Sequence, residues 1–232
     1  MDIVYVNVIH PVHKANTILA LENGKHVLCE KPLAMNAKEV EEMIKVAKDK
    51  NLMLMEAVWT RFFPAIDKVT RYKKTFTNTT QVRQLLNENA IGKVHFAHAT
   101  FGFKHSGQPR LVDRDLGGGA LLDVGIYVLS FASMIFGGKY PTSIDVSGSL
   151  LPSQVDGQSH ITLKYPDNQV ASLYCSILEE TPREAVVIGT NGYIKIHAPF
   201  WCPTKISLHI GNNEPQVFEY SLPSKIKTFN IK

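Results

Sequence analysis

The first 57 residues alternate between short apolar runs and amphipathic segments, and this alternation restricts the folds open to the chain. The three apolar runs, each predicted to be a strand, are Ile3–Ile9, Lys25–Glu30 and Leu52–Ala57. One predicted helix begins at Pro11 and ends at Asn23-Gly24, and a second begins after Asn36 with Glu39 as its capping partner. Strands that alternate with helices form right-handed βαβ units, so we predict a parallel sheet.

After residue 57 the pattern becomes rich in strands. We predict a short helix near Phe62–Pro64, an inserted loop at Thr70–Gln81 and a helix around Leu85. A long apolar helix, Ala120–Phe136, follows a glycine triplet. The predicted strands are Lys93–Phe103, Ser143–Ser149, Ser159–Tyr165, Val170–Ser176, Glu184–Gly189, Tyr193–Ala198, Lys205–Ile210 and Gln216–Tyr220.

Short turns join most of the strands in this second part. Asn191-Gly192 stands between two strand-like runs and is the strongest hairpin signal in the chain. Consecutive strands joined by short turns pair in antiparallel fashion. We therefore predict an α/β fold with a partial parallel-sheet unit in residues 1–57, followed by an α+β domain with an antiparallel sheet in residues 58–232.

The composition narrows the classes of function. Apolar residues make up 44% of the chain and charged residues 20%, as in soluble globular proteins. The net charge is +4 and the basic residues are scattered, apart from Arg71–Lys74, so we predict no nucleic-acid partner. We expect no membrane association, since no apolar run approaches about 18 residues, and no signal peptide, since Asp2 follows Met1. The three widely spaced cysteines favour the cytoplasm.

Glu30-Lys31-Pro32 places a lysine where a predicted buried strand ends. In doubly wound α/β folds the carboxyl ends of the strands form the ligand crevice. A cation in this crevice would be desolvated, and it could lower the pKa of a neighbouring acid or polarise a carbonyl group. The alternative is that Lys31 leaves the sheet and points to solvent, as most lysines do.

Asp123 and Tyr127 lie four residues apart on the predicted helix Ala120–Phe136, and they therefore share one face of it. Most neighbouring residues on this helix are apolar, so an acid at this place needs a reason. A tyrosine phenol can exchange a proton if a nearby cation lowers its pKa from about 10, and Lys31 is a candidate for that cation. Alternatively, Asp123 bonds backbone amides and Tyr127 is a core ring with its hydroxyl satisfied.

Three other features give weaker signals. Gly117–Gly119 lacks the spacing of a phosphate-binding loop, so we interpret it as close backbone packing at a helix start. His10 and His13 flank Pro11 at the end of a strand, and we predict ligand contact but no metal there, because no carboxylate or cysteine is placed to complete a site. Three aromatic residues could belong to the core or line an apolar substrate pocket, namely Trp59, Phe101 and Trp201.

Two stretches resemble the signature motifs of the Gfo/Idh/MocA family of NAD(P)-dependent oxidoreductases. They are Gly24–Leu33 (GKHVLCEKPL) and Gly118–Tyr127 (GGALLDVGIY). Most members of the family have histidine where this chain has Tyr127. This tyrosine, together with Met55–Pro64 and Trp201–Thr204, is similar to the dimeric dihydrodiol dehydrogenase subgroup, whose members are also called NADP-dependent D-xylose 1-dehydrogenases.

The resemblance implies a Rossmann domain, here without its first βαβ portion, followed by an open-faced antiparallel sheet through which the chain forms a homodimer. It implies hydride transfer to NADP, with NAD as the alternative, from a trans-dihydrodiol or an aldose such as D-xylose. Tyr127 would be the general acid/base, Lys31 the cation that tunes it, and Asp123 would orient the substrate or Tyr127. The other implied contacts are those of the cofactor with His10, Pro11, His13, Glu30 and Lys31, and of the substrate with Trp59, Phe101 and Trp201.

The chain departs from the family pattern at three places. It has no strand–GxGxxG–helix segment, which carries the pyrophosphate-binding glycines of a dinucleotide site. Thr70–Gln81 has no counterpart that we can place, and family members continue beyond Lys232. We therefore expect a chain truncated at both ends that binds the cofactor poorly by itself. The alternatives are a non-catalytic relic that retains the dimerising sheet and a family member that acts on another sugar or polyol.

Overall fold

The computed structural model describes residues 2–63, 81–105 and 107–221, without the side chains of Arg61 and Gln81. These residues form one three-stranded and one eight-stranded sheet, with associated helices. The short helix predicted near Phe62 is a 3-10 helix at Trp59–Phe62. The predicted loop Thr70–Gln81 lies outside the described residues except for its last residue, which begins the helix Gln81–Asn87.

The first sheet is parallel, as predicted. Its strands β1 (Ile3–Val6), β2 (His26–Cys29) and β3 (Leu54–Glu56) lie side by side in chain order. Helix α1 (His13–Glu22) connects β1 to β2, and α2 (Ala37–Asp49) connects β2 to β3. The two helices contact each other, so they cover the same face of the sheet.

The first strand is shorter than the sequence predicts, and this matters for the site. Pairing between β1 and β2 stops at Val6 and Cys29, so residues 7–9 leave the sheet. Pro11 lies in a 3-10 turn at His10–Val12, and α1 begins only at His13. The carboxyl ends of β1 and β2 therefore both run into irregular segments that can surround a ligand.

Helix α2 begins at the predicted cap. The Asn36 side chain accepts a hydrogen bond from Glu39 N at 3.0 Å, and Glu39 Oε2 accepts one from Met35 N at 3.1 Å. These bonds satisfy two backbone donors that a helix start would otherwise leave free. Met43 and Ala47 then turn the apolar side of the helix toward the interior.

The second part of the chain contains the larger sheet and its helices. The helical segments are α3 (Gln81–Asn87), α4 (Pro109–Val112), a π-helical segment (Leu121–Gly125), α5 (Ile126–Ile135) and a 3-10 turn (Pro166–Asn168). The strands are β4 (Val94–Gly102), β5 (Ser143–Leu150), β6 (Asp156–Tyr165), β7 (Gln169–Ser176), β8 (Ala185–Gly189), β9 (Gly192–Ile196), β10 (Lys205–Ile210) and β11 (Gln216–Glu219). Among the described residues, no helix is both long and apolar enough to cross a membrane.

The eight-stranded sheet is mixed, whereas the sequence patterns predicted an antiparallel sheet. Its order is β11-β10-β9-β8-β4-β7-β6-β5. β4 lies between β7 and β8, and it pairs in parallel with β7, where Phe96 faces Val170, and in antiparallel fashion with β8. The other neighbouring pairs are antiparallel. The prediction was wrong for β4 because no short turn joins this strand to β7; helices and two strands separate them in the chain.

The hairpin predicted at Asn191-Gly192 is present, with Ile188 of β8 opposite Tyr193 of β9. A Cβ at Gly192 would lie 2.0 Å from the carbonyl oxygen of His209 on β10. The glycine is therefore required by the close approach of a third strand, and not by the left-handed backbone that favours glycine in the tightest hairpin turns.

The helix predicted at Ala120–Phe136 changes type along its length. Leu121–Gly125 is π-helical, and regular α-helix continues to Ile135. A Cβ at Gly125 would lie 2.9 Å from Leu121 Cδ1 and 3.2 Å from Cys175 Sγ, so the π-helical segment packs closely against β7. Short π-helical segments are rare and occur frequently at functional sites.

The π-helical segment and α5 cover one face of the larger sheet. The core on that face includes Ala99 and Phe101 of β4, Leu173 of β7, and Val128 and Phe131 of α5. The opposite face is more open and carries partly exposed side chains. The sheet is therefore open-faced, as the sequence analysis predicted.

Candidate active site

A cavity of about 290 Å³ lies where the carboxyl ends of β1 and β2 meet the second part of the chain. The segment after β1 contributes residues 7–10, and the segment after β2 contributes Glu30 and Lys31. The second part contributes Arg110 of α4, Asp123 of the π-helical segment, and Leu116, which lies between these two elements in the chain. The carboxyl ends of parallel strands thus form a crevice, which is the usual ligand site of this type of sheet.

Lys31 points into this crevice and not to solvent. Its side chain is only 16% exposed, and Nζ donates a hydrogen bond to the backbone oxygen of Asp123 at 2.5 Å. The Asp123 carboxylate oxygen Oδ1 lies 3.6 Å from Nζ. The alternative of a solvent-exposed lysine is therefore wrong.

Asp123 is held by cations. Its side chain is 10% exposed, and Oδ1 accepts a hydrogen bond from Arg110 Nη1 at 2.9 Å in addition to the longer contact with Lys31. A buried carboxylate needs such partners because desolvation strongly disfavours an isolated charge. The contacts of the Asp123 carboxylate are with these two cations, and not with backbone amides as the alternative predicted.

The negative charges near Lys31 do not fully offset the effect of burial on its pKa. Burial lowers the pKa of Lys31, and Asp123 opposes this effect by favouring the charged form. Arg110 lowers the pKa of Lys31 further because it is a second positive charge near the first. The crevice therefore holds an ammonium group that gives up its proton more easily than an exposed lysine does.

Tyr127 lies beside this charged group, with Lys31 Nζ 5.1 Å from the centroid of its ring. Burial raises the pKa of the Tyr127 phenol well above its usual range, and the negative charges of Glu30 and Asp123 act in the same direction. Trp59 lies close enough to oppose the rise, but its buried Nε1 lacks a hydrogen-bond partner of good geometry among the described residues. The pKa of the phenol is therefore raised and not lowered as expected, because burial is the largest influence on it.

The predicted substrate-pocket aromatics gather around Tyr127. Phe101 and Trp201 are stacked with their ring centroids 3.7 Å apart, and their rings lie 5.5 Å and 6.2 Å from that of Tyr127. Trp59 makes an edge contact with Phe63 at 5.2 Å. These aromatic rings pack around the phenol, and Phe101 is itself part of the buried core, against which Trp59, Tyr127 and Trp201 pack.

His10 and Glu30, predicted to contact the cofactor, both line the crevice. His10 Nδ1 lies 3.0 Å from the backbone oxygen of Gly117, which ties the turn after β1 to the glycine triplet, and burial lowers the pKa of this histidine. Glu30 Oε1 accepts a hydrogen bond from the Tyr5 hydroxyl, and Oε2 accepts one from Lys31 N at 3.2 Å. Both side chains therefore have fixed positions at the edge of the cavity.

His13 and Pro11, which were also predicted to contact the cofactor, do not line this cavity. His13 is fully buried, with Nδ1 2.8 Å from the backbone oxygen of Pro32 and Nε2 2.9 Å from that of Val8. Both ring nitrogens are thus occupied by the protein itself. We assign His13 a structural role, in which it joins the segments that follow β1 and β2.

The glycine triplet packs tightly, as the sequence analysis proposed. A Cβ at Gly118 would lie 2.7 Å from the backbone oxygen of Leu111, and one at Gly119 would lie 2.3 Å from Asp156 Oδ1. Glycine is therefore needed at these positions so that the backbone can approach its neighbours.

Arg110 is a functional candidate that sequence analysis missed. It lies in a four-residue helix that begins at Pro109, and no fixed spacing connects it with Asp123. An arginine shortly before the glycine triplet was the only sequence signal for this contact. Residues 7–9 were missed for a different reason, since they were predicted to belong to β1.

The crevice fits the reactive end of a nicotinamide dinucleotide. It offers the Lys31 ammonium, the Glu30 carboxylate and the backbone of residues 7–9 at the carboxyl ends of two parallel strands. The glycine-rich turn that binds a pyrophosphate is not found in this sequence. For the part of the chain that the structure describes, no group of three or more His, Cys, Asp or Glu side chains could hold a metal ion.

Solved structures with the same fold cover most of the chain. The aldose-aldose oxidoreductase of Caulobacter crescentus, complexed with glycerol, aligns with a TM-score of 0.81 and 26% identity over 96% of this chain and 64% of its own. The 3-ketoreductase KijD10 of Actinomadura kijaniata, in complex with NADP and TDP-benzene, aligns with a TM-score of 0.76 and 26% identity. The alignment covers 95% of this chain and 66% of that protein. An inositol dehydrogenase homologue of Azotobacter vinelandii, complexed with NAD+, aligns with a TM-score of 0.81 over 97% of this chain and 58% of its own. Its sequence identity is 20%, so this similarity shows the fold alone.

Curated relatives are more similar in sequence. The trans-1,2-dihydrobenzene-1,2-diol dehydrogenase of Danio rerio is 45% identical over 206 residues, which are 89% of this chain and 58% of that protein. The protein of the same name from Xenopus tropicalis is 40% identical over 231 residues, which are 100% of this chain and 64% of that protein. The chain thus spans about three fifths of the length of these relatives.

Both parts of the chain match known domain families. Residues 1–58 match an oxidoreductase family with an NAD-binding Rossmann fold. Residues 79–195, which include β4, the π-helical segment and the strands to β9, match the GFO/IDH/MocA C-terminal domain. The chain therefore belongs to the GFO/IDH/MocA family of oxidoreductases.

Proposed function

We propose that this protein is an NADP-dependent dehydrogenase that oxidises a hydroxyl group of a small diol or sugar. The observation that carries this proposal is that Lys31, which lines the crevice together with Asp123, lies beside the Tyr127 ring. The ammonium of Lys31 bonds to Asp123 and lies 5.1 Å from the Tyr127 ring, although the first sheet and the helical segments that supply these groups are far apart in the chain. A proton-exchanging phenol beside a cation at the end of parallel strands suits alcohol–carbonyl chemistry.

When bound, the nicotinamide cofactor would accept a hydride from the substrate carbon or return one to it. Tyr127 exchanges the proton of the substrate oxygen. The phenol is protonated at neutral pH because burial raises its pKa, so it can donate a proton directly during carbonyl reduction. During oxidation it must first lose this proton, and the Lys31 charge favours the phenolate that results.

Asp123 acts on Lys31 and not on the substrate in this proposal. Its backbone oxygen holds Nζ at 2.5 Å, and its carboxylate is 10% exposed and already bonded to Arg110. The carboxylate therefore compensates the two cations of the crevice. This role differs from both expectations for Asp123, which were that it orients the substrate or that it orients Tyr127.

We base the proposed substrate class on the aromatic residues beside the phenol and on the names of the relatives. The aromatic rings of Phe101, Trp201 and Tyr127 pack together near Lys31, and an apolar environment of this kind would suit the ring of a trans-dihydrodiol, while the Lys31 side of the crevice would suit hydroxyl groups. The names of the Danio and Xenopus relatives support a dihydrodiol, and the Caulobacter aldose oxidoreductase supports an aldose such as D-xylose. We propose both as substrates to be compared, with another polyol as the alternative.

The decisive test is Tyr127→Phe in the full-length protein. We expect turnover of trans-dihydrobenzenediol and D-xylose to fall roughly 100-fold or more, because the proton-exchanging hydroxyl is removed. Tyr140→Phe is the matched control, since Tyr140 is 92% exposed and outside the crevice. Production of NADPH reports turnover. Near-normal turnover in the Tyr127 variant would overturn the proposed role of this residue.

Titration calorimetry with NADPH and NADH tests the cofactor proposal on the same variants. We expect tighter binding of NADPH than of NADH, and equal NADPH affinity in the wild type and in Tyr127→Phe. Tighter binding of NADH would reject the NADP preference. If neither NADPH nor NADH binds the full-length protein, the non-catalytic alternative would be favoured.

We also propose that two copies of the chain associate through the open face of the eight-stranded sheet. That face carries a row of large side chains across four neighbouring strands, formed by Phe96, Ile188, Tyr193 and His209. A dimer without turnover would favour a relic that keeps only its assembly surface.

The three cysteines are free, which supports a reducing compartment such as the cytoplasm.

A further inference from the structure

The Asp123 carboxylate has two cationic neighbours, and they are not equivalent. Arg110 Nη1 lies 2.9 Å from Oδ1, whereas Lys31 Nζ lies 3.6 Å from the same oxygen. The Arg110 side chain is 51% exposed and reaches the carboxylate from α4, on the cavity side. The stronger of the two ion pairs is therefore made by the residue that is less buried.

This arrangement determines where the Lys31 ammonium is held. Its short hydrogen bond is made to the Asp123 backbone oxygen, and its distance to the carboxylate is longer than that of a hydrogen-bonded ion pair. The ammonium thereby stays 5.1 Å from the Tyr127 ring. Without the guanidinium, the carboxylate would gain most by closing on Lys31, because an unpaired buried charge is strongly disfavoured.

We propose that Arg110 is a positioning residue of this site, which binds the Asp123 carboxylate and so keeps the Lys31 ammonium beside Tyr127. The arrangement itself follows from the contacts, and its effect on turnover rests on the proposed function. Arg110 acts through Asp123 and Lys31, and it does not need to touch the substrate.

Several elements supply charged or titratable groups that face Lys31. They are Glu30 after β2, His10 after β1, Arg110 of α4, Asp123 of the π-helical segment and Tyr127 of α5. Arg110 lowers the pKa of Lys31 and Asp123 raises it. Removal of the guanidinium withdraws one lowering influence and frees the carboxylate to approach, so both consequences raise the pKa of Lys31.

The experiment is a pH titration of the Lys31 side chain by 13C NMR, with the signal assigned by its loss in Lys31→Met. We expect Arg110→Met to move the titration of Lys31 to higher pH. Arg110→Lys keeps a positive charge at this place and is expected to move it less. Arg114→Met is the matched control, because Arg114 is exposed, lies four residues further along and is expected to leave the titration unchanged.

An unchanged Lys31 titration in a folded Arg110→Met variant would overturn the proposal, as would an equal movement in Arg114→Met. Arg110→Gln keeps a donor for the carboxylate without the charge, and it provides the same comparison if the methionine variant does not fold. This titration needs no turnover, so its failure is distinct from failure of the proposed function.

Kinetics of the full-length protein add a second measurement. We expect Arg110→Met to lower kcat roughly tenfold or more, with little change in the KM of the substrate, because a displaced ammonium no longer supports the phenol. Partial recovery in Arg110→Lys would support this interpretation. A raised KM with unchanged kcat would mean that Arg110 binds the substrate, and it would overturn the positioning role.

Discussion

Lys31 is a buried ammonium group whose charge is only partly compensated. Asp123 favours its charged form, but burial and the neighbouring Arg110 outweigh this contribution, so the pKa of Lys31 is lowered on folding. At a pH below the folded-state pKa, the charge therefore costs stability, and the cost disappears as the pH rises toward the unfolded-state value. A residue that weakens the fold in this way is typical of a functional site.

We predict that Lys31→Met raises the melting temperature while it abolishes turnover. The expected gain near neutral pH is roughly 2–4 °C, which corresponds to about 1 kcal/mol in a chain of this size. The difference from the wild type should shrink as the pH rises above the folded-state pKa of Lys31, where the lysine is neutral. Calorimetric scans at a series of pH values measure both effects.

The control for this prediction is Lys104→Met, since Lys104 is exposed. That variant should change the melting temperature little at any of these pH values. A lower melting temperature in Lys31→Met than in the control would contradict the prediction. It would mean that the bond to the Asp123 backbone oxygen is worth more than the burial of the charge costs.

Residue identities at this site were predictable from sequence, but their electrostatics were not. Motifs gave Lys31, Asp123 and Tyr127, because each lies in a stretch with a recognisable order of residues. The raised pKa of Tyr127 was not predictable, since it depends on burial by aromatic rings that come from distant strands and loops. Arg110 was missed because a contact across a cavity leaves no fixed spacing in the chain.

At the scale of elements, the start of the π-helical segment holds the site in place. Gly119 has a φ of +119°, and Asp156 Oδ2 accepts a hydrogen bond from Leu121 N at 2.7 Å. The first residue of β6 thus anchors the helical segment that carries the catalytic candidates. A change that displaces the Asp156 carboxylate should loosen this segment.

We predict that Gly119→Ala destabilises the protein by roughly 2 kcal/mol or more, because its Cβ would lie 2.3 Å from Asp156 Oδ1 in addition to the backbone strain. Gly137→Ala is the control. Gly137 has a φ of +67° with no heavy atom within 4 Å of an added Cβ, so only strain of about 1 kcal/mol applies. Urea unfolding measures the two values, and equal losses would show that the clash with Asp156 is relieved without cost.

The same scale shows where sequence patterns lose information about the fold. Alternation of strands and helices predicted β1 to β3, since each crossover is local. The place of β4 between β7 and β8 was not predictable from turn signals, because the partners of a central strand lie far away in the chain. The end of β1 at Val6 was likewise decided by the length of its partner, and this freed residues 7–9 for the crevice.

At the scale of the whole molecule, the eight-stranded sheet has two exposed apolar regions that could associate. One is the open face, where Ile188 is 40% exposed next to Phe96 and Tyr193 on the neighbouring strands. The other is the edge strand β5, where Ile144 and Val146 are 60% and 64% exposed. The broad open face offers the larger contact area, whereas an edge offers only the backbone and side chains of one strand.

We predict that Ile188→Lys converts the proposed dimer into a monomer, because a lysine in the middle of the open face would bury a charge between the two copies. Val146→Lys on β5 is the matched comparison in the same sheet, and it should leave the dimer intact. Light scattering coupled to size-exclusion chromatography measures the mass of each variant at several protein concentrations. Dissociation by Val146→Lys but not by Ile188→Lys would assign the interface to the edge strand, because a charge at β5 would then separate the copies while one on the open face would remain in solvent.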